Sequence, residues 1–122
     1  MIEEQIDAKP LTTNEKAQAK ALELEKALKV YKVHPLIFKE PSGEEIVGFI
    51  KEPERLTKIR MLDKSMIGSI SAAAECYDII LIKEASDPRM YSEAPEHDAI
   101  YIGAVMAAYD LIKYKTNTFK KN

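Results

Sequence analysis

The sequence predicts an α+β fold that is mostly helical, with about four helices and one β-hairpin between helices one and two. Three observations carry this prediction: a capping box before a helical apolar pattern, two β-rich stretches around a turn, and three further helical patterns after Pro53. The chain has 122 residues, of which 46% are hydrophobic. This length fits one domain, predicted to cover residues 12–122, preceded by a mobile arm at residues 1–11.

Helix one is predicted to start at Thr12. Glu15 follows three residues later, and this spacing allows each side chain to accept a hydrogen bond from the other's backbone N–H. The apolar stripe is narrow and its residues are small, so the helix could lie across the domain or swap to a neighbour. The stripe consists of Ala17, Ala21, Leu24 and Leu28.

The β-hairpin is predicted from β-branched and aromatic residues at 30–38 and 46–50, on both sides of a turn at residues 41–44. Pro41 presets φ in this turn and Gly43 tolerates a positive φ. Both faces of the hairpin carry large apolar groups, so one must pack on helices and the second could pack on another chain. With a four-residue loop, the predicted faces are Leu36, Phe38, Val47 and Phe49 on one side and Ile37, Ile46 and Ile50 on the other.

Three helical patterns follow the hairpin. Pro53 suits the start of helix two, Gly68 its end, and Ser69 or Ser71 the cap of helix three. Helix four is predicted to start near Pro95, after a connecting loop at residues 86–95. The apolar run at 79–82 fits either the end of helix three or a short buried strand. The predicted apolar faces are Leu56, Ile59, Leu62 and Met66; then Ile70, Ala73, Ala74, Tyr77, Ile80 and Leu81, widened by Ile79 and Ile82; then Ile100, Gly103, Ala104, Ala107, Leu111 and Tyr114.

Composition excludes several classes of function. The net charge of −2 speaks against nucleic acid, because a polyanion-binding protein is normally basic. The longest uncharged stretch, residues 99–109, is too short for a membrane span, which needs about 20 residues. Cys76 is the only cysteine, which fits a reducing cytoplasm and allows no intramolecular disulfide.

No pattern of catalytic, cofactor-binding or metal-binding residues is present. His34 and His97 lack a recognisable catalytic partner, and no glycine-rich phosphate loop occurs. The acids around His97 are explained by the dipole of helix four rather than by a metal. Cys76 lies beside Glu75 in an apolar segment, which is typical of an inert thiol. We therefore expect no enzyme activity, no cofactor and no metal.

The order of segments resembles the small tail assembly chaperones of tailed bacteriophages. The segments that carry the resemblance are Lys29-Val30-Tyr31-Lys32-Val33, then Gly48-Phe49-Ile50-Lys51-Glu52-Pro53-Glu54-Arg55, the helices beyond, and a lysine-rich end at residues 113–121. The resemblance implies a non-enzymatic protein of the host cytoplasm that binds the phage tape measure protein before the tail tube protein polymerises around it. It also implies a longer form made by ribosomal slippage near Phe119 to Asn122.

The expected protein-binding surface is the hairpin, because its apolar groups exceed what one small core can cover. The alternative is a structural phage protein that stays in the virion or in a homo-oligomer, with the hairpin forming permanent contacts. The residues assigned to this surface are Leu36, Ile37, Phe38, Ile46, Val47, Phe49 and Ile50.

Overall fold

The computed structural model describes residues 12–65 and 70–117. In these residues the fold is α+β, with four α-helices and a two-stranded antiparallel hairpin between the first two, as predicted. The predictions for the arm at 1–11, for Met66, Gly68 and Ser69, and for residues 119–122 lie outside the described residues. The elements are α1 (Thr13–Leu28), β1 (Val33–Lys39), β2 (Glu45–Lys51), α2 (Arg55–Ser65), α3 (Ile70–Ile80) and α4 (Asp98–Asn117).

Helix α1 begins with the predicted capping box. The Glu15 N–H donates to the Thr12 hydroxyl at 3.0 Å, and the Thr12 N–H donates to the Glu15 carboxylate at 2.9 Å. These two bonds satisfy backbone donors that a helix start otherwise leaves free. Lys29 caps the C-terminus of the helix, and its φ of 56° and ψ of 45° place it in the left-handed region. Lys29 thereby turns the chain toward β1.

The hairpin register differs from the prediction by one residue. Lys39 pairs with Glu45, and the Glu40 N–H donates to the Glu44 carbonyl, so only residues 41–43 form the loop. Gly43 takes a φ of 98° there. A shift of one residue exchanges the faces of a strand, so the predicted faces are wrong. Leu36 and Phe38 share a face with Ile46 and Ile50, and Ile37 lies with Val47 and Phe49 on the other face.

Each hairpin face packs on a different part of the chain. The first face joins α2, α3 and α4 in the larger apolar core, which includes Tyr77, Met90 and Ile112. The second face packs on α1 in a smaller cluster. The prediction that one face packs on helices is confirmed, and α1 covers the other. The buried members of the smaller cluster are Ala17, Ala21, Val33, Phe49 and Ile82.

Helix α2 presents only part of its predicted face to the core, because Leu62 packs there but Leu56 and Ile59 do not. Met61 is fully buried, whereas Leu56 is 79% exposed and Ile59 is also exposed. The packing of α2 on α3 turns Met61 and Leu62 toward the core and leaves Leu56 and Ile59 at the surface.

Helix α3 ends at Ile80, and the next residue, Leu81, forms an isolated antiparallel bridge with Ile50. The run at 79–82 is therefore divided between a helix end and a strand-like bridge. Short 3-10 turns at Lys83–Ala85, Pro88–Met90 and Pro95–His97 lead to α4. The buried residues of α3 are Ala72, Ala73, Cys76, Tyr77 and Ile80.

Helix α4 follows its predicted start closely. Its predicted face is confirmed at Ile100 and Ala104, which are buried, and wrong at Ala107 and Tyr114, which are exposed. Gly103 lies against the ring of Phe38, so the small residue allows approach of the hairpin rather than of another helix. The buried residues of α4 are Ile100, Ala104, Val105, Ala108 and Ile112.

Candidate protein-binding surface

The seven hairpin residues predicted to bind a partner are mostly covered by the chain's own helices. Leu36, Ile46, Phe49 and Ile50 are buried, and Phe38 and Val47 are half-buried. Ile37 is exposed by 37% of its surface. Of these seven side chains, Ile37 is therefore the most accessible to a partner in this conformation.

A cleft of about 470 Å³ lies at the open end of the hairpin. The linker between α1 and β1 forms one wall, and the segment between β2 and α2 forms another. The fold thus brings residues 29–31 close to residues 51–54. The lining residues are Lys29, Val30, Tyr31, Lys51, Glu52, Pro53, Glu54, Thr57, Ile79 and Ile80.

Two large side chains in this cleft are exposed. Tyr31 has 86% of its surface exposed, and Ile79, at the end of α3, has 54%. Val30 and Ile80 continue the lining between charged groups of both signs. Tyrosine is enriched at protein interfaces because its ring buries a large area while its hydroxyl can still bond to water or to a partner. The cleft therefore exposes side chains of the kind that are common at protein interfaces.

A polar network fixes the wall of the cleft. His34 Nε2 lies 2.7 Å from the Glu52 carboxylate, and Lys58 forms an ion pair with the other oxygen of that carboxylate. Burial raises the pKa of Glu52, but the hydrogen bonds from Lys58 and His34 outweigh burial, and the net pKa is lowered. The Glu52 N–H also donates to the Lys32 carbonyl, which continues the hairpin ladder beyond β1. These contacts within the chain thus hold the Glu52 side of the cleft in place in the absence of a bound protein.

Ile37 lies at a second, more polar hollow of about 400 Å³ along the outer edge of β1. Helices α1 and α4 flank this hollow through residues that include Gln18 and Leu111. Pro35 has no N–H to offer to an added strand, and proline at an edge commonly prevents such pairing. This hollow is therefore a weaker binding surface than the cleft at Tyr31.

The side chains of Cys76 and His97 each make a hydrogen bond within the described part of the chain. Cys76 is buried, and burial raises the pKa of its thiol above its ordinary value. His97 Nδ1 lies 2.8 Å from the hydroxyl of Ser92. Across residues 12–65 and 70–117, no three His, Cys, Asp or Glu side chains are grouped so as to hold a metal ion. Within the same part of the chain, every helix is too short or too polar to cross a membrane.

Sequence reasoning missed the cleft as a site. Tyr31 was assigned to a strand and Ile79 to the buried stripe of helix three, although the structure exposes both. The sequence feature that indicates exposure of Tyr31 is its position between Lys29 and Lys32. An aromatic residue among charged neighbours is poorly placed to be buried in the core. Comparison of the chain with protein-family models, with curated proteins and with solved structures finds no match.

Proposed function

We propose that this chain is a non-enzymatic protein-binding module that acts as a phage tail assembly chaperone in the host cytoplasm. Its client would be the tape measure protein, whose hydrophobic surface it covers until the tail tube protein replaces it. The observation that carries the proposal is the cleft with Tyr31 and Ile79 exposed on its walls.

The shape and charge of the cleft support a reversible protein contact. Its lining combines the apolar side chains of Val30, Tyr31 and Ile79 with charges of both signs on Lys29, Lys51 and Glu54. A cleft of this size covers a few client side chains, which is suited to moderate affinity rather than to a permanent complex. Moderate affinity is what a chaperone needs, because polymerising tube protein must displace it.

The experiment is co-expression of the chain with the tape measure protein encoded by the same genome, followed by measurement of the soluble complex. Tyr31→Ala and Ile79→Asp should each lower the affinity about tenfold or more, the effect of losing an interface hot spot of at least about 1.4 kcal/mol. Tyr114→Ala is the matched control, because Tyr114 is also exposed and does not line the cleft. Equal binding by the cleft variants and the control would refute the proposal.

A structural component of the virion, or of a homo-oligomer, is the second candidate. It is favoured by exposed apolar pairs on faces other than the cleft, Leu56 with Ile59 on α2 and Ile102 with Met106 on α4. A permanent component needs several such contacts, since lasting interfaces are larger and more apolar than transient ones. Mass spectrometry separates the candidates: a chaperone is present in infected-cell lysate and missing from purified particles, whereas a virion component is present in both.

A further inference from the structure

We propose that α1 exchanges between two copies of this chain, so that each copy's α1 packs on the hairpin of the other. The larger apolar core contains no described residue of α1. Helix α1 buries only Ala17 and Ala21, and its main contacts are with the two strands. It therefore forms a separate layer that can leave the domain while the larger core stays closed.

The linker between α1 and β1 has the features of a hinge. It is four residues long, and Lys29 is the only non-glycine residue with a positive φ in the described part of the chain. A left-handed conformation disfavours a residue with a Cβ, and an open linker lets Lys29 return to a negative φ. Short hinge loops under strain favour exchange of the element that they connect.

The composition of the linker indicates that a second copy is the partner. Val30 and Tyr31 are β-formers, and the sequence predicts a strand from Val30, yet β1 begins only at Val33. In the open chain, residues 30–32 can extend β1. Two such extensions, related by a two-fold axis, can pair as antiparallel strands and bury Tyr31, which is 86% exposed in the closed chain.

The exchanged dimer keeps the contacts that hold α1 in the closed chain. The Val33 N–H donates to the Glu25 carboxylate at 2.9 Å, and Ala17 and Ala21 pack beside Val33 and Phe49. In the dimer the same contacts join two copies. The cost of the exchange is the entropy of association and the loss of the two hydrogen bonds that the N–H groups of Lys29 and Val30 donate to the Glu25 carbonyl in the closed linker. The gain is the return of Lys29 to a negative φ and the pairing of the two linkers.

The first test is a pair of substitutions at Lys29, with sedimentation velocity after refolding over a wide range of concentrations. Lys29→Gly removes the penalty of the closed linker and should lower the dimer association constant about tenfold or more. Lys29→Pro fixes φ near −65° and should raise the dimer fraction at every concentration. A folded Lys29→Pro variant that stays monomeric throughout would overturn the proposal.

The second test separates exchange of α1 from other dimers and does not depend on the proline variant. A Gln18→Cys chain carrying a spin label on α1 is refolded together with isotope-labelled wild-type chain; the buried Cys76 is protected from the label. If α1 exchanges, the spin label on one chain broadens the amide signals of Val33 and Val47 in the isotope-labelled chain. Unchanged signals in a dimer, or the absence of any dimer, would refute exchange.

This inference stands apart from the proposed function, although Lys29 and Tyr31 belong to both the linker and the cleft. Ile79 lines the cleft and is not part of the smaller cluster on which α1 packs. Ile79→Asp should therefore weaken client binding and leave exchange intact. Failure of one proposal is thus distinguishable from failure of the other.

Discussion

The backbone N–H of Phe49 donates a 2.9 Å hydrogen bond to the hydroxyl of Ser86. The same hydroxyl donates to the carbonyl of Ile82 at 2.7 Å. The Ile82 N–H in turn donates to the Phe49 carbonyl, and the Asp87 N–H donates to the Val47 carbonyl. The segment after α3 therefore closes the outer edge of β2 and leaves fewer strand groups free to pair with another chain.

Ser86→Ala should lower the free energy of unfolding by about 1–3 kcal/mol, because it leaves the buried N–H of Phe49 without an acceptor. Urea denaturation measures the change. Ser42→Ala is the matched control: Ser42 is exposed in the hairpin turn, and its substitution should change stability by less than about 0.5 kcal/mol. Equal effects of the two substitutions would show that Ser86 does not hold the edge.

Gly48→Ala should destabilise the fold by about 1–3 kcal/mol, since a Cβ there would collide with the side chain of the fully buried Met90. Gly103→Ala should destabilise the fold by a smaller amount than Gly48→Ala. Its Cβ would lie 2.8 Å from Cε1 of the half-buried Phe38, but alanine gains about 1 kcal/mol of helix propensity over glycine. Thermal or urea denaturation of both variants checks the order, and a larger loss for Gly103→Ala would contradict it.

The strands and the turn of the hairpin were predictable from the sequence, but its register was not. Composition alone predicted both strands and the turn, because β-branched residues flank Pro41 and Gly43. The register depends on whether Glu44 belongs to the loop or to the ladder, and both arrangements satisfy the composition. A difference of one residue then placed Phe49 beside α1 instead of beside Leu36.

The helices were predictable in number and approximate length, and the side that faces the core was predicted largely for α3 but only in part for α2 and α4. In α2, Leu56 and Met61 both fit apolar stripes, and only packing against α3 distinguishes them. The cleft could not be predicted from the sequence for a related reason. Tyr31 and Ile79 are far apart in sequence, and their proximity depends on the path of the linker and on where α3 ends. These are tertiary properties that local patterns do not encode.

Tyr77→Phe should lower the free energy of unfolding by about 1–2 kcal/mol. The Tyr77 hydroxyl donates to the Met90 carbonyl at 2.8 Å in the buried core, so its removal leaves that carbonyl without its donor. Tyr101→Phe is the control, since the Tyr101 hydroxyl donates to Asp78 at an exposed position. Removal of the Tyr101 hydroxyl should lower the free energy of unfolding by less than about 0.5 kcal/mol, measured by urea denaturation for both variants. A reversed order would show that the buried bond contributes little.

Stability should fall in acid partly through the network at Glu52. Burial raises the pKa of this carboxyl, but the hydrogen bonds from Lys58 and His34 outweigh it, so the folded pKa lies below the ordinary value of 4.5. The unfolded chain therefore binds a proton at a higher pH than the folded chain. The contribution of Glu52 is complete above about pH 4.5 and is lost as the pH falls through the folded pKa.

Glu52→Gln tests this network. At neutral pH it should lower the free energy of unfolding by about 1–2 kcal/mol, because Lys58 and His34 lose a charged acceptor. Its stability should also fall less steeply than that of the wild type below pH 4.5. Urea denaturation at a series of pH values measures both effects, with Glu54→Gln, which removes an exposed carboxylate of the same cleft, as the control. If Glu52→Gln and the wild type show the same dependence on pH, the network does not stabilise the folded state.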